Sequence, residues 1–235
     1  MFKENFHIVQ KRILEKKSLK QIYCENYNRY QECLSRCPSV GKVVELGSGA
    51  GFIKTILPDV MTSDFITYPE LDAVVNAEDM PFEDSSIRCF LMTNVFHHLN
   101  DSGRFLKEAY RCLVPGGRIY IIDQHVGFFS YFILKYFHAE PFDHQAPVES
   151  KGENGARSWI FFKRDLKFFK KDYGELFELV KYNPHSPLRY WLSGGLKKWN
   201  LLPLFLYSPL LLLERFLLRL SLNFASFVDI ELRKK

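Results

Sequence analysis

Val43-Val44-Glu45-Leu46-Gly47-Ser48-Gly49-Ala50-Gly51-Phe52 is an apolar segment that ends on a carboxylate and turns at once through three alternating glycines. Residues without a Cβ permit a tight turn and let a ligand lie against bare backbone. A helix starting at Gly51 and running to Leu57 would then point its first N–H groups at that ligand. The dinucleotide fingerprint places glycines at relative positions one, three and six, and the sixth position here is Phe52. The spacing therefore argues against NAD or FAD.

Downstream of the turn, strand and helix patterns alternate. Strands are expected at Lys42 to Glu45, Val60 to Asp64, Ala73 to Asn76, Cys89 to Asn94 and Arg118 to Asp123, with a helix over Ser102 to Leu113. Such alternation builds βαβ units with right-handed crossovers, hence a parallel sheet. Between Asp64 and Asp79 only the stretch Phe65 to Leu71 is free to form a helix, and Pro69 interrupts it. The second crossover helix is expected to be short or lost.

Ahead of the turn, Val9, Ile13, Leu14, Leu19, Ile22, Tyr23, Tyr27 and Tyr30 recur at helical spacing and predict one or two helices ending before Pro38. Beyond Asp123 the chain is aromatic and irregular, then reads as a sixth strand over Phe177 to Tyr182 and a seventh over Phe224 to Leu232. Between these two strands lies an insertion, about Ser186 to Leu222, whose run Leu201 to Leu213 is uncharged and broken by Pro203 and Pro209. A membrane span needs roughly twenty residues, so this run does not cross a bilayer. Three placements remain open for it. It is buried, it covers a greasy acceptor, or it lies in a bilayer interface with Lys197, Lys198, Arg215 and Arg219 reaching headgroups.

Glu45-Leu46-Gly47-Ser48-Gly49-Ala50-Gly51 resembles motif I of the class I S-adenosylmethionine-dependent methyltransferases, and four further landmarks follow in order. They are Asp64 at the end of the second strand, Ala77-Glu78-Asp79-Met80-Pro81-Phe82 after the third, Asn94-Val95-Phe96-His97-His98-Leu99 after the fourth, and Arg111-Cys112-Leu113-Val114-Pro115-Gly116-Gly117-Arg118 before the fifth. The resemblance implies a Rossmann-like α/β fold. It has a seven-stranded, mostly parallel sheet with helices on both faces, an N-terminal helical extension and a hydrophobic helical insertion before the last strand. It also implies one domain over 1–235, with a helical cover at 1–38, a cofactor-binding core at 39–125, an acceptor side at 126–222 and a terminal strand at 223–235. The N-terminal helices in this family often cover the cofactor, so Tyr23 and Tyr27 either face the site or pack.

By the same resemblance the cofactor is S-adenosyl-L-methionine. Gly47, Ser48, Gly49 and Gly51 would admit its methionine portion, and Glu45 would orient its ammonium. Asp64 would hold the ribose hydroxyls, a vicinal diol that suits two carboxylate oxygens. Asp79 would accept from the adenine amino group, Met80 would line the ring, and Asn94 would lie beside the methionine end. The expected activity is O-methylation of a small-molecule, glycan or lipid-linked acceptor. A quinone-like ring carbon, a non-catalytic cofactor-binding protein and a peripheral membrane protein are the alternatives. The candidate base is His125 or His138, because acceptor groups in open α/β folds lie beyond the carboxyl ends of strands. His97 and His98 stand at the tip of the fourth strand, one facing the site and one packing. The aromatic loop after Asp123, the Trp159 segment and the Pro/Leu insertion are expected to form the acceptor cover. The carboxylate-and-amide ligand motif of catechol-type methyltransferases is not recognisable around His138, Glu140, Asp143 and His144, and no metal is expected.

Composition is consistent with this reading. A chain of 235 residues with 47% hydrophobic content can bury a proper core. Its net charge of +5 is concentrated near Lys11 to Lys20, Lys163 to Lys171 and Arg233 to Lys235. These stretches suit a solvated surface or an anionic membrane, and no RNA-binding module accompanies them, so no nucleic-acid partner is expected. Cys24, Cys33, Cys37, Cys89 and Cys112 are an odd count without a metal-ligand spacing, read as reduced thiols in a cytoplasmic protein. Met1-Phe2-Lys3-Glu4-Asn5-Phe6 carries charges where a signal peptide needs an apolar core. A peripheral membrane contact through 199–222 is the remaining partner expectation. No feature sets an oligomeric state.

Overall fold

The computed structural model describes residues 5–235. Of the N-terminal run read against a signal peptide, the first four residues lie outside the described residues. Helix α1 (Phe6–Glu15) is capped by Asn5, whose side chain accepts from the His7 N–H, and α2 (Lys17–Leu34) follows. Then come β1 (Lys42–Leu46), β2 (Met61–Asp64), β3 (Ala73–Val74), β4 (Ile87–Thr93), α3 (Ser102–Cys112), β5 (Leu113–Gln124) and α4 (Phe128–Tyr136). A short helix α5 (Arg157–Trp159), a π-helical turn over Ile160–Arg164 and α6 (Leu166–Asp172) precede β6 (Phe177–His185). The chain ends with α7 (Arg189–Leu192), α8 (Tyr207–Leu220) and β7 (Phe227–Lys234).

The seven strands form one sheet in the order β3-β2-β1-β4-β5-β7-β6. The first five are parallel, and β7 runs antiparallel to both β5 and β6, sliding between them. This is the Rossmann-like, seven-stranded, mostly parallel arrangement that the resemblance implied. Strands β4 and β5 are buried on both faces, as parallel strands covered on each side must be. On one face α2 packs Leu19, Tyr27, Tyr30 and Cys33 against Val43, Cys89, Leu91 and Tyr120. On the other, α3 places Phe105, Leu106 and Ala109 beside Phe161, Phe162 and Phe169.

Three segments depart from expectation. The helix expected from Gly51 to Leu57 is only a 3-10 turn over Ile53–Thr55. Gly51 and Pro58 bracket too few residues to repay helix nucleation, and the Phe52 N–H donates to Tyr27 Oη of α2 at 3.1 Å instead of opening a helix. No helix forms between β2 and β3, as Pro69 suggested. The Trp159 segment is not an acceptor cover. Its neighbours Ile160, Phe161 and Phe162 are buried, and Phe161 and Phe162 form edge and tilted contacts with Phe96 and Phe169 in the sheet core.

The Pro/Leu insertion is also resolved by the fold. Only Leu202 is buried within Leu201–Leu206, and only Tyr207 and Glu214 within α8, so burial in the core is overturned. Among the described residues no helix is long and apolar enough to cross a membrane.

Candidate functional site

The carboxyl ends of β1, β2, β4 and β5 converge on one groove, where open α/β sheets bind their ligands. At its centre the glycine turn leaves β1. Gly47 sits at φ +70°, and a Cβ there would come within 2.3 Å of Val95 Cγ2. Gly49 sits at φ +47° with nothing within 4 Å of the place its Cβ would occupy. The first glycine is thus required by packing, and the second leaves open space on the cavity wall. Gly47→Ala is expected to cost about 1–3 kcal/mol of stability through overpacking and strain. Gly49→Ala is expected to cost under about 1–2 kcal/mol, from its left-handed φ alone. Its methyl would project into the groove and weaken cofactor binding; thermal unfolding and ligand titration of the two variants check this.

Ser48 locks the turn to β2, donating its N–H to Ser63 O at 2.8 Å while its Oγ accepts from the Ser63 N–H. Asp64 accepts from the Gly49 N–H at 3.0 Å and from the Ile66 N–H at 3.0 Å. Each oxygen keeps a lone pair for a ligand, and Asp64 lines the lobe of the groove that also holds Gly47 and Asn94. Asn76, Ala77 and Glu78 form the far edge of that lobe.

Asp79 and Met80 are placed differently from expectation. Asp79 is turned out to solvent, 3.7 Å from Arg104, and Met80 is 4% exposed in the main core. The bridge between Asn76 and Asp79 makes a tight turn that presents residues 76–78 to the groove and carries the next two away from it. Sequence reasoning took the acidic residue nearest Pro81. The signal it missed is that a turn four residues long faces the groove with its first three.

The second lobe is lined by Glu45, Gly47 to Gly51, Tyr23, Tyr27, Asn94 and Gln124. Glu45 is buried, and its Oε2 has no hydrogen-bond partner. Burial pushes its carboxyl up to about 7, with Ser48 offsetting only part of the shift. Asn94 adopts φ +55°, a costly conformation for a non-glycine residue, and its Oδ1 is also buried and unpartnered. Gln124 Oε1 is a third such atom on the same wall. Three buried acceptors without donors, beside a glycine turn open at Gly49, are the wall expected around a small polar ligand carrying N–H and O–H groups. S-Adenosylmethionine carries N–H and O–H groups of this kind.

At the acceptor end, His97 is 2% exposed, and its Nδ1 lies 2.5 Å from Asp123 Oδ1, at the end of β5. Its Nε2 lies 3.2 Å from Glu140 Oε2. Burial opposes the imidazolium, but the two carboxylates outweigh it and lift His97 to about 10, while Glu140 is held down to about 2. His98 and His138 line the same lobe. Burial lowers both, with the charge on His97 adding to the effect, and they are neutral near pH 7.

His138 Nδ1 meets the Glu140 carboxylate at 3.6 Å and the Glu140 amide at 3.4 Å. The Glu140 N–H donates to Nδ1, which puts the proton of the neutral ring on Nε2. Tyr190, Trp191 and Leu196 close the lobe opposite the histidines. Their loop is held by Lys16, whose Nζ donates to the carbonyls of Ser193 at 3.1 Å, Gly195 at 3.0 Å and Trp199 at 2.7 Å.

His125 is not part of this wall. Its Nδ1 lies 2.9 Å from Tyr182 Oη between β5 and β6, and burial with Lys163 nearby lowers it to about 4. Asp143 accepts from the Gln145 N–H and His144 stacks on Phe142, so neither belongs to the cavity. The tip of the site is thus a chain His138–Glu140–His97–Asp123, of which sequence alone suggested only the first member as the base.

Two sets of potential metal ligands also converge. Cys89 of β4 joins Cys33 and Cys37, and Glu140 joins His97 and His98, each with ligand atoms within 4.8 Å of one another. Among the described residues neither set gains a fourth Cys, His, Asp or Glu, and a structural zinc site needs four. The ion pair of Glu140 with His97 satisfies the second set internally.

Residues 44–121 match the family model described as a methyltransferase domain. The ubiquinone/menaquinone biosynthesis C-methyltransferase UbiE of Haemophilus ducreyi is 25% identical over 122 residues, covering 52% of this chain and 46% of that protein. The mitochondrial 2-methoxy-6-polyprenyl-1,4-benzoquinol methylase of Dictyostelium discoideum is 34% identical over 56 residues, 23% of this chain and 18% of that protein. The chain thus spans less than half the length of these curated relatives. Geranyl diphosphate C-methyltransferase from Streptomyces coelicolor, solved with Mg2+, geranyl diphosphate and S-adenosyl-L-homocysteine, superposes with TM-score 0.51 at 14% identity, over 95% of this chain and 85% of that one. The YcgJ protein from Bacillus subtilis superposes with TM-score 0.50 at 13% identity, over 90% and 98%. At such identities the two structures speak for the fold alone. Sheet order, glycine turn and matched residues together give a Rossmann-like fold that carries a methyltransferase-domain match. Over residues 44–121 the chain is similar to the methyltransferase domain family.

Proposed function

We propose that this protein transfers a methyl group from S-adenosylmethionine to a hydroxyl of a small-molecule, glycan or lipid-linked acceptor. The observation that carries the donor half is Glu45, a buried carboxylate whose Oε2 has no hydrogen-bond partner on the wall of the glycine turn. When bound, the sulfonium supplies an electrophilic methyl carbon and a thioether leaving group. The chain's own residues then have three tasks. Glu45 pairs with the donor ammonium, Asp64 accepts from the ribose hydroxyls, and Asn76 to Glu78 border the adenine side. Tyr190, Trp191 and Leu196 hold the acceptor and exclude water. As the hydroxyl attacks, its proton passes to the neutral His138 imidazole. Glu140 stabilises the resulting imidazolium, itself held by the buried pair of His97 and Asp123. His138, Glu140, His97 and Asp123 thus act together, the last three as positioning groups.

A quinol ring carbon is the second reading, favoured by the two curated relatives. Loss of the same hydroxyl proton would activate the ring, so the same histidine serves both. A peripheral contact with a membrane through 199–222 accompanies a lipid-linked acceptor.

Asp64→Ala is expected to weaken S-adenosylhomocysteine binding about 10–100-fold by removing a charged acceptor from the ribose. Calorimetric titration checks it, and unchanged affinity would remove Asp64 from the site. A comparison of methylated metabolites and glycans in cells with and without the protein identifies the acceptor. An added methyl on oxygen supports the first reading and one on a ring carbon the second.

A further inference from the structure

α8 is built inside out. Its two buried residues, Tyr207 and Glu214, lie seven positions apart on one face. Both are held by polar contacts. Glu214 accepts from the N–H groups of Leu188 at 2.7 Å and Arg189 at 2.6 Å and pairs with the Arg189 guanidinium, while Tyr207 Oη donates to Glu25 at 2.7 Å. The helix therefore turns its polar side inward, and Leu212, Leu213, Phe216 and Leu220 outward, with Leu212 at 63% and Phe216 at 57% exposure.

α4, which buries Ser130 and Leu134, likewise exposes Phe128, Phe132 and Tyr136. The two helices are joined through Phe224, whose ring contacts Phe128 and Phe129. At the other end Phe137 and Trp199 are exposed, and Lys197 Nζ donates to Phe137 O. One apolar face thus runs across both helices. Single exposed leucines need no explanation, but a face of this extent marks a surface that meets something apolar.

Its charge pattern says what. The side chains around it are Lys135, Lys197, Lys198, Arg215 and Arg219, all exposed. Over 124–139 and 186–228 the only acidic residue is Glu214, which is buried. Apolar side chains within a rim of cations, with no exposed anion, complement a bilayer whose headgroups are negative and whose interior is hydrocarbon. A second copy of this chain would bring like charges together.

We infer that α4 and α8 form a docking face for an anionic membrane surface. The inference extends the methyltransferase reading but stands on separate residues. Leu196 and His138 sit both at this border and on the wall of the acceptor lobe, so an acceptor anchored in the bilayer would reach His138 without leaving it.

Flotation of the full chain with vesicles of phosphatidylcholine, with or without phosphatidylglycerol, tests the inference. The chain is expected to float with the anionic vesicles and to be released by salt. Arg215→Glu with Arg219→Glu should weaken binding at least roughly fivefold per residue. Leu212→Ser with Phe216→Ser should weaken it by roughly tenfold or more. Retained S-adenosylhomocysteine affinity in both variants shows that the fold and donor site are intact. The inference is overturned if the parent chain stays unbound on anionic vesicles at low salt, or if the serine variant binds as the parent does. It is equally overturned if the face proves to hold a lipid-free dimer that the serine variant dissociates. Loss of S-adenosylhomocysteine binding by the parent would instead count against the donor reading alone.

Discussion

Replacing His138 by Ala is expected to lower kcat about 10²–10⁴-fold, the usual contribution of a positioned general base. The affinity for S-adenosylhomocysteine should change by no more than about twofold, because the lost group acts on the acceptor. Burial lowers His138 from its ordinary value. The proton-accepting form therefore predominates at and above neutrality, and kcat should fall as pH drops through that lowered pKa. His125→Ala should leave turnover within about twofold while costing about 1–3 kcal/mol of stability, since it strands Tyr182 Oη inside the sheet. Methyl transfer to the recovered acceptor, measured across pH, checks both. Parental turnover in His138→Ala would end the assignment.

The second large effect is expected at Glu45, and it has opposite signs for folding and for binding. The carboxyl titrates near its ordinary value in the unfolded chain and at about 7 in the fold. Below the ordinary value both states are protonated and Glu45 is neutral to stability. Between the two values the unfolded chain ionises first, so stability falls as pH rises, by about 3–4 kcal/mol in all. Glu45→Gln keeps the shape and removes the charge. The variant should therefore unfold at a higher temperature than the parent at pH 8 and at a similar one at pH 4. It should bind S-adenosylhomocysteine about 10–100-fold more weakly, because a charge-assisted contact with the ammonium is lost. A residue that weakens the empty fold and strengthens the complex is what a ligand-binding carboxylate looks like thermodynamically.

What the sequence made legible follows from distance along the chain. The turn at Gly47 to Gly51 and the acceptor Asp64 are set by local backbone geometry, and their spacing carries that geometry directly. Asp79 stands away from the groove because residues 76–79 lie in one tight turn, and only the orientation of that turn decides which of them faces the groove. The pairing of His97 with Asp123 and Glu140 joins residues 26 and 43 positions apart. No local pattern encodes such a meeting. The leucine-rich stretch that forms α8 is apolar on all sides in sequence and gives no sign of which face turns outward. That reversal depends on Arg189 and Glu25 being in place to receive Glu214 and Tyr207. The failed helix after Gly51 was legible in principle, since Pro58 stands too near for a second turn.

The central claim is that the groove beside the glycine turn binds S-adenosylmethionine with its ammonium on Glu45. Calorimetric titration of the full chain with S-adenosylhomocysteine between about pH 5.5 and 8.5, in buffers of different ionisation enthalpy, tests it most directly. The predicted result is that parental affinity falls about tenfold per pH unit below neutrality, with a proton released on binding there, and levels off above. Glu45→Gln should bind more weakly and without that pH dependence. No binding at millimolar ligand, or equal and pH-independent binding by both proteins, would contradict the account.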